Sequence, residues 1–462
     1  MDGFTDTAPQ SGPAVDAAGI FLVFITIIVF MLPVLIYFPP VPPSKSEALL
    51  QTHTPVGLAS SKSGLRGHRG RHAPLAPEVP AKIRSLWIYP VKSCKGIEVS
   101  QSKVLPTGLE FDRLYTFAQL KSPFPVALDA SDEEKSQHKW EFITQRHFPL
   151  LATVEVDLYV PDIAKAQDKS ATSGEAFIIV RFPWQERGAL GALGWLLAKL
   201  TRGWRALPEM EIVLPVEFPS PDEIDQQGYS YDKVKVWKET VTALNLEPEL
   251  PRELRLYLGV SNRLGIFRID PARLRPVYRC APTEADAAYQ PVIGFQDAYP
   301  LHLLNLFSVR DLDARIDKDT EFHHLDPRRF RANIIVDGVA AYDEDNWKTI
   351  RFNPEPSSTR ECAAFHVSCR TVRRLTNHPP PSCPAARCKM PNVDPDTGCR
   401  HAVEPDRSLR KFRDVDEGAK KKGCLGMQLT PLFDDTDSME SWVEVGMSLE
   451  VMDRGSHRYI AQ

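Results

Sequence analysis

Residues Gly19 to Phe38 read GIFLVFITIIVFMLPVLIYF, twenty residues without a charge. As a helix rising 1.5 Å per residue, such a segment reaches about 30 Å, the thickness of a hydrocarbon core. Asp2, Asp6 and Asp16 precede it and Pro39-Pro40-Val41-Pro42-Pro43 follows it, unlike the basic start and small-residue cleavage site of a signal peptide. An uncleaved transmembrane helix is therefore expected over 19–38, behind an N-terminal tail over 1–18. No Lys or Arg stands before it, while Lys45, Lys62, Arg66, Arg69 and Arg71 come after it. A single-pass membrane protein is thus expected, and by the positive-inside rule that asymmetry places its large C-terminal part in the cytosol. Residues 39–79, rich in Pro, Ser, Gly and basic side chains, bury little and form a flexible linker.

The remainder has a globular composition. Of 462 residues, 43% are hydrophobic and 25% charged, enough apolar surface for a sizeable core. The 56 Lys+Arg nearly balance the 60 Asp+Glu, for a net charge of −4, so no nucleic-acid partner is indicated. The 40 prolines exceed the usual ~5% and point to long ordered loops. All eight cysteines follow residue 93, and no Cys-x2-Cys pair occurs, which disfavours a structural zinc site and fits free thiols in a reducing compartment.

Strand patterns run through Ile83–Tyr89, Ala152–Val160, Phe177–Phe182, Val234–Trp237 and Asn333–Val336, with the branched content and alternation of half-buried strands. Helical period appears in Pro251–Leu258 and Leu301–Ile316. The short apolar stretch Ala189–Leu200 reads as a helix packed on the core, or alternatively as a membrane-surface helix. Strands outnumber helices without a βαβ rhythm, so a β-rich α+β body built on β-barrels is expected rather than a doubly wound sheet.

Two clusters carry chemistry. In Tyr89-Pro90-Val91-Lys92-Ser93-Cys94-Lys95-Gly96, directly after a strand, an ammonium, a hydroxyl and backbone N–H groups can face an anion, although a plain turn looks the same. Arg113 would add a planar fork for phosphate or carboxylate, with an Asp112–Arg113 surface pair as the ordinary alternative. In the second cluster, Cys388 lies between Arg387 and Lys389 and ahead of Asp394-Pro395-Asp396-Thr397-Gly398. Two basic neighbours lower a thiol pKa, and the turn holds it in place. Trp237 is expected in the core, with the rim of a substrate entrance as its alternative.

The strings SLWIYPVKSCKG, RCKMPNVDPDTG and CLGMQ resemble the MOSC family, in its membrane-anchored branch of amidoxime-reducing components. The resemblance covers roughly residues 80–452. It implies a MOSC N-terminal β-barrel domain over 80–230 and a MOSC domain over 231–452, with a molybdenum cofactor (molybdopterin) between them. By the same resemblance Cys388 is the metal ligand and catalytic residue, Lys92, Ser93 and Arg113 surround the pterin phosphate, and Arg331, Asn333 and Arg387 line the pocket. A soft thiolate suits a high-valent metal that also binds a dithiolene, and a buried phosphate needs such donors.

The implied activity is a molybdenum-dependent oxidoreductase that reduces N-hydroxylated compounds. Its electrons come from a b-type cytochrome and its NADH-dependent flavin reductase, at the mitochondrial outer membrane or the endoplasmic reticulum. A sulfur carrier with a persulfide on Cys388 and a non-catalytic, membrane-tethered cofactor-binding module are the alternatives. Two features depart from the family pattern. Arg374–Ala386 (RLTNHPPPSCPAA) interrupts the run into Arg387-Cys388, as a surface loop or as translated non-coding sequence, and Ala298-Tyr299 stand where relatives place small hydroxyl residues after Asp297.

Overall fold

The computed structural model describes residues 16–37, 44–66, 80–123, 131, 133, 137–165, 174–186, 188–204, 207–355, 362–372, 389–433 and 438–458. The chain forms two compact units, 1–48 and 49–462. In the first, the apolar segment is one helix, Ala17–Tyr37. Its side chains are described over 18–31 and all are exposed. Among the described residues no helix is long and apolar enough to cross a membrane.

Two curled sheets organise the second unit. Ser230–Val236, Glu239–Asn245, Leu264–Ile269, Tyr115–Lys121 and Lys139–Phe142 close into a five-stranded barrel. An eight-stranded sheet runs Ile334–Asp337, Leu301–Asn305, Cys424–Leu432, Ala363–Val372, Trp347–Asn353, Ser448–Arg454, Lys82–Ile88 and Ile97–Val99. The further pairing of Lys82–Ile88 with Ile334–Asp337 curls this sheet back on itself. Both sheets draw strands from either side of residue 230. The β-rich α+β expectation agrees with this architecture, because alternating apolar residues such as Ile178, Val180 and Phe182 are fully buried.

Three local expectations change. The linker expected over 39–79 is ordered in its described part, where Lys45–Leu49 is a helix, His53–Val56 is a strand paired with Leu158–Pro161, and Leu65 is buried in the core. Leu301–Asn305 is a strand, and the helix covers only Leu306–Arg315. All five strand residues are buried between Ile334–Val336 and Met427–Leu429, and burial on both faces overrides helical period. Asn305 then caps the helix by accepting from the Phe307 N–H. The strand runs parallel to Ile334–Val336, so one helical crossover of the kind the sequence rhythm had not indicated is present. The helix Ala189–Arg202 also differs from a core-packed one. It buries Gly191 and Ala198, whereas Trp195 is 38% and Leu196 48% exposed.

The helix Leu306–Arg315 packs over a buried carboxyl. Glu344 is fully buried and accepts from Ser308 Oγ at 2.6 Å and Asn305 Nδ2 at 2.8 Å. Burial pushes its pKa from 4.5 up to about 7, with Asp345 adding and the two hydrogen bonds opposing. A raised carboxyl pKa means that the native state holds the proton longer than the unfolded chain. Its contribution is complete below about pH 4.5 and is lost as the pH rises through 7, to the extent of about 3 kcal/mol. In urea unfolding at pH 5 and pH 8, the stability of the wild type relative to Glu344→Gln is expected to fall by about that amount. A pH-independent difference would disprove this assignment.

Candidate functional site

The turn after Lys82–Ile88 closes tightly. Ser93 is left-handed with φ 69°, and a Cβ on Gly96 would lie 2.4 Å from the Tyr89 ring, so only glycine fits there. Lys92 is buried, and its ammonium donates to the Phe295 carbonyl at 2.7 Å and to Asp297 Oδ1 at 2.6 Å. Burial lowers the Lys92 pKa against the pull of Asp297. The Lys92 ammonium and the indole N–H of half-buried Trp237, at 2.9 Å, hold the Asp297 pKa well below the carboxylate range.

Arg113 and Asp112 form a buried pair, not the surface pair offered as the alternative. The Asp112 side chain is fully buried and that of Arg113 is 14% exposed. The reason lies in the backbone: Asp112 also accepts from the Tyr89 N–H at 2.8 Å, which draws the carboxylate inward. Arg113 further reaches Asn333 Oδ1 and the Arg331 carbonyl, both at 3.3 Å.

Arg331 ends the short helix Pro327–Phe330 in a left-handed conformation, φ 54°. Its Nη1 donates to the Cys94 carbonyl at 2.5 Å, and its guanidinium stacks 4.2 Å from the Tyr89 ring. Nη2 is buried and has no partner among the described residues. Burial lowers the Arg331 pKa to about 10, so the group remains charged at neutral pH. Burial also pushes the Tyr89 phenol and the Cys94 thiol up to about 12, which keeps both neutral there. Ser93, Arg113 and Arg331 are thus three non-glycine residues in the left-handed region. Each costs roughly 1–2 kcal/mol, and such strain gathers at functional sites.

Asn333 is fully buried, and protein groups engage both ends of its amide. Nδ2 donates to the Trp87 carbonyl at 3.1 Å and Oδ1 accepts from the His302 N–H at 3.2 Å. It positions Arg113 beside the first turn. On the Asp297 side, buried Tyr299 donates to the Arg279 carbonyl at 2.6 Å.

Arg387, Cys388 and the insertion 374–386 lie outside the described residues. The segment that follows them is held firmly. Asp394 Oδ1 accepts from the N–H groups of Asp396 and Thr397, both at 3.0 Å, and Gly398 completes the turn with φ 70°. Arg329 donates to the Pro391 and Asn392 carbonyls at 3.2 Å and to Asp394 at 2.7 Å. Arg328 grips Asp396 with two nitrogens, at 2.8 and 2.6 Å. One short stretch, 328–331, therefore clamps the downstream motif and also presents Arg331 to the first one. Arg328 and Arg329 were not singled out from the sequence, where the basic run RRFR marks them, and Tyr89 was read only as the strand end that opens the first cluster.

A cavity of about 670 Å³ lies between these parts, lined by Trp87, Tyr89, Lys95, Arg331, Val393 and Asp396 among others. Arg331 stands in its wall. Arg113 shares the Tyr89 ring with Arg331 and bonds the Arg331 carbonyl and Asn333 Oδ1, and Arg331 in turn bonds the Cys94 carbonyl of the Lys92-Ser93-Cys94 turn. The buried Lys92, Arg113 and Arg331 face two carboxylates, Asp112 and Asp297, which leaves one positive charge and one bare N–H group. That donor set fits a phosphate group.

Two family models match the chain: the MOSC N-terminal beta barrel domain over residues 80–178 and the MOSC domain over 290–450. The mitochondrial amidoxime reducing component 2 of Rattus norvegicus is 23% identical over 352 residues, 76% of this chain and 77% of that protein. The mitochondrial amidoxime-reducing component 1 of Homo sapiens is 21% identical over 341 residues, 73% and 74%. A molybdenum cofactor sulfurase of Oryza sativa subsp. japonica is 22% identical over 386 residues, 79% of this chain but 35% of that protein. With the MOSC N-terminal beta barrel domain and the MOSC domain both matched, the chain belongs to the MOSC family.

Proposed function

We propose that this chain is a membrane-anchored oxidoreductase that reduces N-hydroxylated compounds, with electrons delivered by a b-type cytochrome and its NADH-dependent reductase. Its cofactor is the molybdenum cofactor. The observation that carries the reading is the Arg331 guanidinium, buried with one nitrogen unpartnered, in the same cavity wall as the segment that follows Cys388. A bare buried N–H group is costly unless a ligand meets it.

In this reading Arg331 and Arg113 hold the pterin phosphate, Lys92 adds a third positive charge, and Ser93 and Arg387 complete the donor set. Cys388 is the thiolate ligand of the metal. Tyr89, neutral at physiological pH, supplies the flat face on which both guanidinium groups stack and donates to the Ala332 carbonyl at 3.3 Å. When bound, the cofactor supplies the two-electron chemistry that removes oxygen from an N–OH group. The chain's own residues bind, orient and exclude water. The apolar helix Ala17–Tyr37 is the proposed anchor, which raises the effective concentration of enzyme beside electron donors on the same membrane.

The purified full chain is expected to contain molybdenum and pterin in stoichiometric amounts. Cys388→Ala should lose at least 100-fold in benzamidoxime reduction with NADH, cytochrome and reductase, about the ~3 kcal/mol expected on losing a charged ligand contact. Undiminished turnover in that variant would end the proposal. The sulfurase relative favours one second reading, a persulfide carrier. Mass-spectrometric detection of a persulfide on Cys388, in protein free of molybdenum, would put it first.

A further inference from the structure

Arg146 differs from the other buried arginines. Arg329 and Arg413 pair with Asp394 and Asp345, while Arg268 and Arg331 donate to carbonyls. Arg146 is 6% exposed, yet among the described residues none of its guanidinium nitrogens donates a hydrogen bond, and its Nε is fully buried. Among the described residues no carboxylate forms an ion pair with it. Its guanidinium stacks on Trp237, at 4.6 Å. Two residues earlier, Thr144 Oγ1 is also buried without a partner among the described residues.

A second arginine meets the backbone of the first. Arg400, at the end of the Asp394–Gly398 turn, donates from Nη2 to the Arg146 carbonyl. Burial, and then the nearness of Arg146, lower its pKa. Two like charges held together, one of them buried and bare, are unfavourable unless an anion joins them. Trp237 supports this arrangement from behind: it is itself left-handed, φ 57°, and its indole N–H is committed to Asp297.

We infer that Arg146, Arg400 and Thr144 form an oxyanion-binding site beside Trp237, which takes a carboxylate or phosphate group. The forked guanidinium matches either group, and the Thr144 hydroxyl supplies one further donor. The anion comes from an acidic substrate or from the phosphate end of the cofactor, two sources with one chemistry. The site does not require the reductase reading, because it is defined by residues that bind an anion whether or not molybdenum is present.

The test follows Trp237 emission in the full chain during titration with inorganic phosphate, the Trp237→Phe spectrum being subtracted to isolate that indole. Wild-type protein should show a saturable change. Arg146→Gln and Arg400→Gln should each raise the half-saturating phosphate concentration about tenfold, the effect of one charge-assisted hydrogen bond, with Arg146→Lys recovering part of it. Should Arg146→Gln fail to fold, the exposed Arg400→Gln carries the test alone. A response that persists in molybdenum-loaded protein assigns the site to substrate, and one that vanishes on loading assigns it to the cofactor's own phosphate. No phosphate response in the wild type, or equal half-saturation in the variants, overturns the inference. Loss of reductase activity in Cys388→Ala does not bear on it.

Discussion

Asp112→Ala is expected to destabilise the protein by about 3–5 kcal/mol, because it leaves a buried Arg113 without its counter-charge and the Tyr89 N–H without its acceptor. The Asp112 side chain is fully buried, so water does not replace it. Asp112→Asn keeps an acceptor oxygen for the Tyr89 N–H and removes only the charge, and should therefore recover part of the loss. The difference between the two variants separates backbone anchoring from charge compensation. Urea unfolding at pH 7 measures both, and a midpoint lowered with unchanged slope shows that the native contact was lost. An alanine variant as stable as wild type would mean that Arg113 finds other partners.

The second large effect is on cofactor retention. Arg331→Gly keeps the left-handed backbone, where glycine relieves roughly 1 kcal/mol or more of strain, and removes the guanidinium. It is expected to melt within a few degrees of wild type and yet to retain roughly 10- to 100-fold less molybdopterin after dialysis, from the loss of charge-assisted donors. Arg331→Lys restores charge but not the fork or the stacking on Tyr89, so intermediate retention is expected. Metal and pterin content measured beside the melting temperature distinguishes a binding role from a folding one. Wild-type retention in the glycine variant would remove Arg331 from the phosphate site.

Short patterns legible in the sequence are those whose meaning is local. The alternation in Phe177–Phe182 sets one face inward whatever surrounds it. The motifs around Lys92 and Asp394 carry their own turn chemistry, with glycine at positions 96 and 398 where the chain doubles back. CLGMQ is readable for a similar reason: a Cβ on Gly426 would lie 2.4 Å from the Leu303 carbonyl, so the strand beside Leu301–Asn305 needs a glycine there.

What depends on distant partners was not legible. Helical period in Leu301–Ile316 lost to burial on both faces for its first five residues, a consequence of two strands that pair Leu303 with Ile334 and with Met427, both outside the span that carries the period. Asp112–Arg113 looked like a surface pair because sequence shows charge but not the Tyr89 N–H that draws the carboxylate inward. Arg328 and Arg329 acquire their roles only when Asp394 and Asp396 come to meet them. The residue types and turns of the two motifs were thus determined by the chain's own order. Their meeting around one cavity, and the nitrogens of Arg331 and Arg146 left without a partner among the described residues, were decided by tertiary packing, since hydrogen-bond satisfaction and desolvation depend on what lies next to a side chain in space.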